Sequence, residues 1–363
     1  MMRKVLLALS LLMCVGLTSA QEEPRTFYMG FTPFPYAITL DAVNFTYQHI
    51  EQDADLIVHH FDSGVPWIEA LNGEAYHPNM MNDWSWRRSQ VPEDHQLLVT
   101  VTPISITRDG LAPYHGEAED MPLTAPFDSY SFDTPEVIEA FINYCNTTIE
   151  YFEPDMFVFG IEVNLLMKLR PDVWDAYMVL HREVYTTLKA TYPDLPIMVS
   201  LTGIDLLPGY TDADHDDQMR ALEDILPYTD YVGLSVYPYM TAYMTREIPY
   251  DMFDDLAVLI DKPLAVTETG YPAQSFRVSE GADLYFESDE GKQADYIRYL
   301  LESAQEHQFR FVVNFVLRDY DALWEEIGGR EDLTIVWRDT GLYDEDGNER
   351  ESLQIWREWL ARQ

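Results

Sequence analysis

The sequence predicts a (β/α)8 barrel. Eight apolar runs of strand length recur along the chain, each followed by helical or irregular sequence. Most of these runs are near-continuously apolar, as expected of a parallel sheet covered on both faces. At 363 residues the chain is also long for one ordinary domain and suited to a barrel. A doubly wound open sheet, the competing architecture, would carry a glycine-rich phosphate loop after its first strand, and "GFTPFPYA" contains no such motif.

The elements follow in order. Residues 1–20 read as a secretory leader: Arg3 and Lys4 precede the apolar stretch Val5 to Leu17, and Thr18, Ser19 and Ala20 supply small residues for cleavage. The residues before Cys14 lack the small side chains of a lipid-anchoring site, so soluble export, to the periplasm or the exterior, is the expectation. Residues 21–363 then form one barrel. The eight strand runs are "TFYMGF" (26–31), "DLIVHHF" (55–61), "LLVTVTPI" (97–104), "MFVFGIEV" (156–163), "PIMVSLTG" (196–203), "YVGLSVYP" (231–238), "PLAVTETG" (263–270) and "FRFVVNFV" (309–316). Between them lie amphipathic helical patterns at 134–152, 171–190 and 292–307, and a last one at 351–362 with Leu353, Trp356 and Leu360 on one stripe. Thr134 is placed to cap the first of these, with Pro135 in its first turn. No apolar run after the leader reaches the length of a membrane span.

Composition excludes several functions. Lys and Arg total 23 against 63 Asp and Glu, for a net charge of −40. Phosphate binding needs cationic side chains, so nucleic acid is not an expected partner. The acidic residues are dispersed, which points to a solvated acidic surface that salt would screen. Without the leader, Cys145 is the sole cysteine, so no internal disulfide is expected, and its place on an apolar helical stripe marks it as a core residue. No HExxH, CxxC, GxSxG or Walker motif occurs, and no metal or cofactor is expected. "DADHDD" (212–217) and "YDEDGNE" (343–349) have some cation-loop character, but the second lacks the full calcium pattern and reads as a β-turn around Asp346 and Gly347.

In such a barrel the chemistry lies at the C-terminal ends of the strands. Run four ends with Glu162 and Asn164, run six with Tyr237 and Tyr239, run seven with Glu268, and run eight with Asn314, followed by Arg318, Asp319 and Trp324. Run two ends with His59, His60 and Asp62, and alternation allows one of the two histidines to face the mouth; His59 is the candidate. Two glutamates converging across a barrel mouth suit glycoside cleavage, where one carboxyl protonates the glycosidic oxygen while the other attacks or stabilises the sugar carbon. Trp84 and Trp86, with Trp67 nearby, and Trp324 could stack on pyranose faces. Arg87 and Arg88 could bind a substrate anion or pair with neighbouring carboxylates.

"FVFGIEVN", "YVGLSVYPY" and "LAVTETGYP" resemble the strand-four, strand-six and strand-seven segments of clan A glycoside hydrolases, nearest to family 53, the arabinogalactan endo-β-1,4-galactanases. The C-terminal "WRDTGLYDEDGNERESLQIWREWL" is similar to the closing turn and last helix of such enzymes. The resemblance implies a retaining two-glutamate hydrolase of β-linked glycans, with Glu162 as general acid/base, Glu268 as nucleophile and Tyr237 orienting Glu268. It implies a carbohydrate substrate; the sequence does not set the oligomeric state, and a monomer is the favoured expectation. The sequence departs from the pattern at two places. Ile161 stands where the clan has an Asn that contacts the sugar 2-hydroxyl, with Asn164 or Asn314 as substitutes, and "HHFD" replaces the arginine-bearing strand-two segment of family 53. These departures leave two further readings, a clan A hydrolase of mannanase or glucanase type and a non-catalytic glycan-binding barrel.

Overall fold

The computed structural model describes residues 23–241, 247–280 and 283–362. The leader expected at 1–20 lies outside them. All eight strand runs form strands: β1 (Tyr28–Phe31), β2 (Leu56–Phe61), β3 (Gln96–Val101), β4 (Met156–Val158), β5 (Ile197–Thr202), β6 (Val232–Val236), β7 (Leu264–Thr269) and, after a two-stranded ribbon, β10 (Phe311–Asn314). They close in the order β1-β10-β7-β6-β5-β4-β3-β2, and every neighbouring pair is parallel. The ribbon, β8 (Phe276–Val278) against β9 (Leu284–Phe286), is antiparallel and was not foreseen from the sequence. Its strands have three residues each, too few for a period-two pattern to register.

The helices that matter to the site are α1 (Leu40–Asp53), α2 (Trp67–Asn72), α3 (Pro78–Ser89), α4 (Pro135–Phe152) and α5 (Asn164–Leu169). The expected patterns appear as helices at Pro135–Phe152, Trp174–Thr191, Glu290–Glu306 and Glu351–Leu360. Thr134 does occupy the cap position of α4 in an extended conformation, but its hydroxyl accepts from Ser131 N at 3.0 Å and not from the helix. In the last helix Trp356 is fully buried, and its indole donates to Asp53 O at 2.8 Å, tying the C-terminal end of the chain to α1.

The core has two parts. One lies between the strands and the surrounding helices and contains Cys145. The other fills the barrel interior: Leu56 and Val58, Leu98, Met156 and Val158, Met198, Ala265, Phe311 and Val313, with Ile161 among them. These interior positions fix which side of each strand faces inward, because side chains alternate along a strand. Among the described residues no helix is long and apolar enough to cross a membrane.

Candidate active site

Alternation from the interior residues predicts the mouth. On β2, Leu56 and Val58 point inward, so His60 follows them and His59 points out. On β10, Phe311 and Val313 point inward, so Phe315 reaches the mouth and Asn314 does not. A cavity of about 530 Å³ at the C-terminal ends of the strands bears this out: its walls include Phe34, His60, Asp62, Arg87, Arg108, Glu162, Glu268, Phe315 and Trp337.

Glu268 reaches this cavity through a β-bulge. Ala265 faces the interior, so unbroken alternation would point Thr267 inward and Glu268 toward the helices. The register between β6 and β7 slips instead: Leu234 pairs with Val266, but Ser235 pairs with Glu268, leaving Thr267 as the extra residue. A matching slip occurs between β10 and β7. Thr267 Oγ1 donates to Leu234 O at 3.1 Å, and the bulge packs so closely on β6 that a Cβ at Gly233 would lie 2.6 Å from the Thr267 methyl. The threonines flanking Glu268 are therefore structural; Thr269 Oγ1 likewise bonds Val236 O.

Glu162 is set by a different device. β4 ends at Val158, and Glu162 lies in the left-handed region with φ of 49°. That conformation costs a non-glycine residue about 1–2 kcal/mol. Hydrogen bonds from β5 hold it: Glu162 N donates to Ser200 Oγ at 2.9 Å, and Val163 N donates to Ser200 O at 3.0 Å. A Cβ at Gly160 would lie 2.7 Å from Val163 Cγ1, so the tight turn needs glycine there. The turn directs Ile161 into the barrel interior, where it plugs the core, and not into the cavity.

The two carboxyls share one network. Ser235 Oγ donates to Glu162 Oε1 at 2.8 Å, and Ser235 is itself the register partner of Glu268. Tyr237 Oη donates to Glu268 Oε1. Arg108, 5% exposed, grips both oxygens of Asp62 at 2.8 and 2.7 Å and reaches Glu162 Oε2 at 3.2 Å. Burial first, and then the facing Glu162 carboxylate, lift Glu268 from an ordinary 4.5 to about 8, against the pull of the Tyr237 hydrogen bond. The pair thus keeps a proton at neutral pH. His60, hydrogen-bonded through Nδ1 to Thr100 Oγ1 at 3.0 Å, is held neutral by burial.

The structure thus brings Glu162, Glu268 and Tyr237 together and sets the remaining sequence candidates apart. His59 is fully buried against Phe152, with Nε2 on Arg87 O at 3.1 Å, and burial lowers its pKa to about 3. Asn164, at the start of α5, is completely buried and engaged with Thr202 N, Thr202 O and Gln218. Asn314 donates to Val316 O at 2.8 Å on the far side of its strand. Trp84 is buried in α3 among Phe61, Tyr144 and Phe152, and Trp67 in α2 donates to Ala112 O. Trp86 packs edge-on against Tyr47 of α1, away from the cavity. Trp324 lies beside the mouth, on a smaller pocket that shares Phe315 and Trp337 with it. Trp67 and Trp84 lie on the buried faces of their helices, a placement that composition alone does not distinguish from a loop. The sequence reasoning missed Arg108, His60, Ser235, Phe315 and Trp337. Strand parity counted from the interior residues would have found His60 and Phe315.

Arg87 lines the cavity but is paired with Asp83 at 2.7 Å, and Arg88 pairs with Glu153 on the surface. Of the two acidic stretches, Asp214 caps the following helix by accepting from Asp217 N. Asp344 accepts from Asp346 N and Asn348 N around a turn in which Gly347 has φ of 82°. Asp319, Asp321 and Asp339 present oxygens within 4.8 Å of one another. However, Asp319 is doubly bonded to Arg350 and Asp339 to Arg338, which already neutralises two of the three.

No family model matches the sequence, and no curated protein matches it. Solved structures share the fold. A GH5_18 protein from Streptomyces cattleya in complex with GlcNAc aligns with a TM-score of 0.63 and 12% identity, over 94% of this chain and 81% of that one. The exo-β-1,4-mannosidase Op5Man5 from Opitutaceae bacterium strain TAV5 aligns at 0.60 with 13% identity, over 93% and 59%. A fungal β-1,4-galactanase aligns at 0.56 with 14% identity, over 87% and 91%. At these identities the likeness is one of fold. It extends to a mannosidase and a galactanase alike, so the narrower family 53 resemblance is not singled out.

Proposed function

We propose that the protein is a secreted, retaining glycoside hydrolase acting on β-linked glycans, with Glu162 as general acid/base and Glu268 as nucleophile. The observation that carries this reading is the shared network at the cavity: Ser235 holds Glu162 while paired in register with Glu268, and Tyr237 holds Glu268. The pair retains one proton at neutral pH, and two carboxyls sharing one proton supply one acid and one base. With a sugar between them, Glu162 gives its proton to the glycosidic oxygen as that bond breaks, while the Glu268 carboxylate attacks the anomeric carbon and forms a glycosyl ester. Glu162 then takes a proton from water, whose oxygen displaces Glu268 from the same carbon. For this, the proton of the free pair must reside on Glu162 when the bond breaks. The glycosidic oxygen favours that arrangement by accepting it, and the positive charge growing at the anomeric carbon favours an anionic Glu268. Arg108 acts through Glu162 and Asp62 as a positioning residue.

The test is hydrolysis of a panel of β-linked oligosaccharides followed by proton NMR of the freshly released anomer. Retention is expected, with loss of activity in Glu268→Ala and formation of a glycosyl azide of opposite anomeric configuration when azide is added to that variant. Inversion, or full activity in Glu268→Ala, overturns the assignment. Binding without reducing-end release identifies the non-catalytic barrel instead.

A further inference from the structure

The mouth is polar on one side and apolar on the other. Around the carboxyl pair stand Asp62, Arg87, Arg108, Glu119 and Asp120. Past Phe34 and Phe315, which wall both spaces, a groove of about 720 Å³ runs between the β1–α1 segment and the chain that follows β10. Ile38, Leu40, Val43 and Leu323 line it, and Ile38 and Leu40 are 74% and 70% exposed. The smaller pocket of about 210 Å³, walled by Trp324, Ile327 and Trp337, continues the same surface around Phe315 and Tyr320. Of the residues lining the larger groove, only Thr39 and Tyr320 carry side-chain polar atoms, and the Thr39 hydroxyl caps α1 by accepting from Ala42 N at 3.1 Å.

A pyranose ring in a binding site needs partners for several hydroxyls, since a polar group desolvated without a partner is costly. The groove offers almost none. It has room for something larger than a solvent molecule, is open to solvent, and borders the cavity, with Phe34 and Phe315 lining both. On a chain with a net charge of −40, Ile38 and Leu40, two residues apart, both expose their side chains along this groove.

We propose that the groove binds the alkyl or acyl chain of an amphiphilic glycoside, whose sugar occupies the cavity between Glu162 and Glu268. The substrate class is then a glycolipid-like molecule and not a plain polysaccharide. The catalytic half of this inference rests on the glycosidase reading; the binding half does not.

The experiment measures binding of n-octyl and methyl β-glycosides of glucose, galactose and mannose by calorimetry, below the micelle concentration. The full chain carries Glu268→Gln so that no ligand is consumed, and the Ile38→Asp and Leu40→Asp changes are added one at a time. Burial of each methylene strengthens binding by about fourfold, so an octyl chain seated even in part binds at least about tenfold tighter than methyl, and either aspartate removes that gain. Both positions are well exposed, so the folded state tolerates the changes. Equal affinity for octyl and methyl, or a gain that survives both aspartates, overturns the proposal. A dimer in sedimentation that Ile38→Asp dissociates also overturns it, since the face would then be a contact between copies. Reducing-end release is read separately. Hydrolysis without a chain-length effect removes only this inference, and a chain-length effect without hydrolysis removes only the catalytic reading.

Discussion

Replacing Glu268 with Gln tests the electrostatics of the site without requiring a substrate. Glu268 is buried, its pKa is lifted from 4.5 to about 8, and the principal causes are desolvation and the facing Glu162. The folded chain therefore holds a proton between about pH 4.5 and 8 that the unfolded chain has released, and stability falls as pH rises through that window. Each pH unit within it is worth about 1.4 kcal/mol, so the full interval amounts to at most about 5 kcal/mol. Gln has nearly the same shape, keeps an oxygen to accept from Tyr237 Oη, and does not titrate. Its stability relative to the parent chain should thus be level below pH 4.5 and climb by about 2–5 kcal/mol by pH 8. For a chain of this length about 1.4 °C in Tm corresponds to 1 kcal/mol, so calorimetry at pH 4.5, 6 and 8 should show the variant melting about 3–7 °C above the parent only at the alkaline end. A difference in Tm that does not change with pH, or that shrinks as pH rises, would refute the claim that Glu268 is a buried acid facing a second carboxylate.

Other outcomes follow from the same geometry. The alkaline limb of kcat/KM should lie near pH 8, where the pair loses its proton, and Tyr237→Phe should move it upward, because the Tyr237 hydrogen bond lowers the Glu268 pKa; an unchanged limb in that variant would separate Tyr237 from Glu268. Arg108→Met strands Asp62, whose side chain is 17% exposed, beside Glu162 without a cation, and urea unfolding should show a loss of about 3–5 kcal/mol, part of which Asp62→Asn restores in the double variant. Gly233→Ala pushes a methyl into Thr267 and should destabilise the fold by about 1–3 kcal/mol while depressing kcat more than KM, since it displaces the bulge that aims Glu268.

The barrel itself was legible because each strand, covered on both faces, had to be apolar along its whole length, and such runs stand out against an acidic background. The glutamate pair was legible because a carboxylate interrupting such a run is conspicuous. Which side chains share the mouth was less legible, for local reasons. His59 and His60 differ only by parity, which becomes readable once Leu56 and Val58 are known to point inward. Asn314 fails the same parity count beside Phe315. Arg108 comes from an irregular loop after β3 and has positive φ, so no period marks it; only its scarcity among so many acids could have drawn attention. The tryptophans of α2 and α3 carry no sequence signal that separates a stacking platform from a helix core. Ile161 departs from the family pattern for a structural reason, since the left-handed Glu162 that follows it turns that position into the barrel interior.

The extra residue on β7 makes the mouth depend on an odd-or-even count. Deleting Thr267 would remove the bulge and make Glu268 follow Val266 directly, so that simple alternation from Ala265 would still point it into the mouth. A register slip that instead drew Thr267 into the ladder would turn Glu268 toward the helical layer and leave a single carboxyl at the mouth, with no residue gained, lost or exchanged.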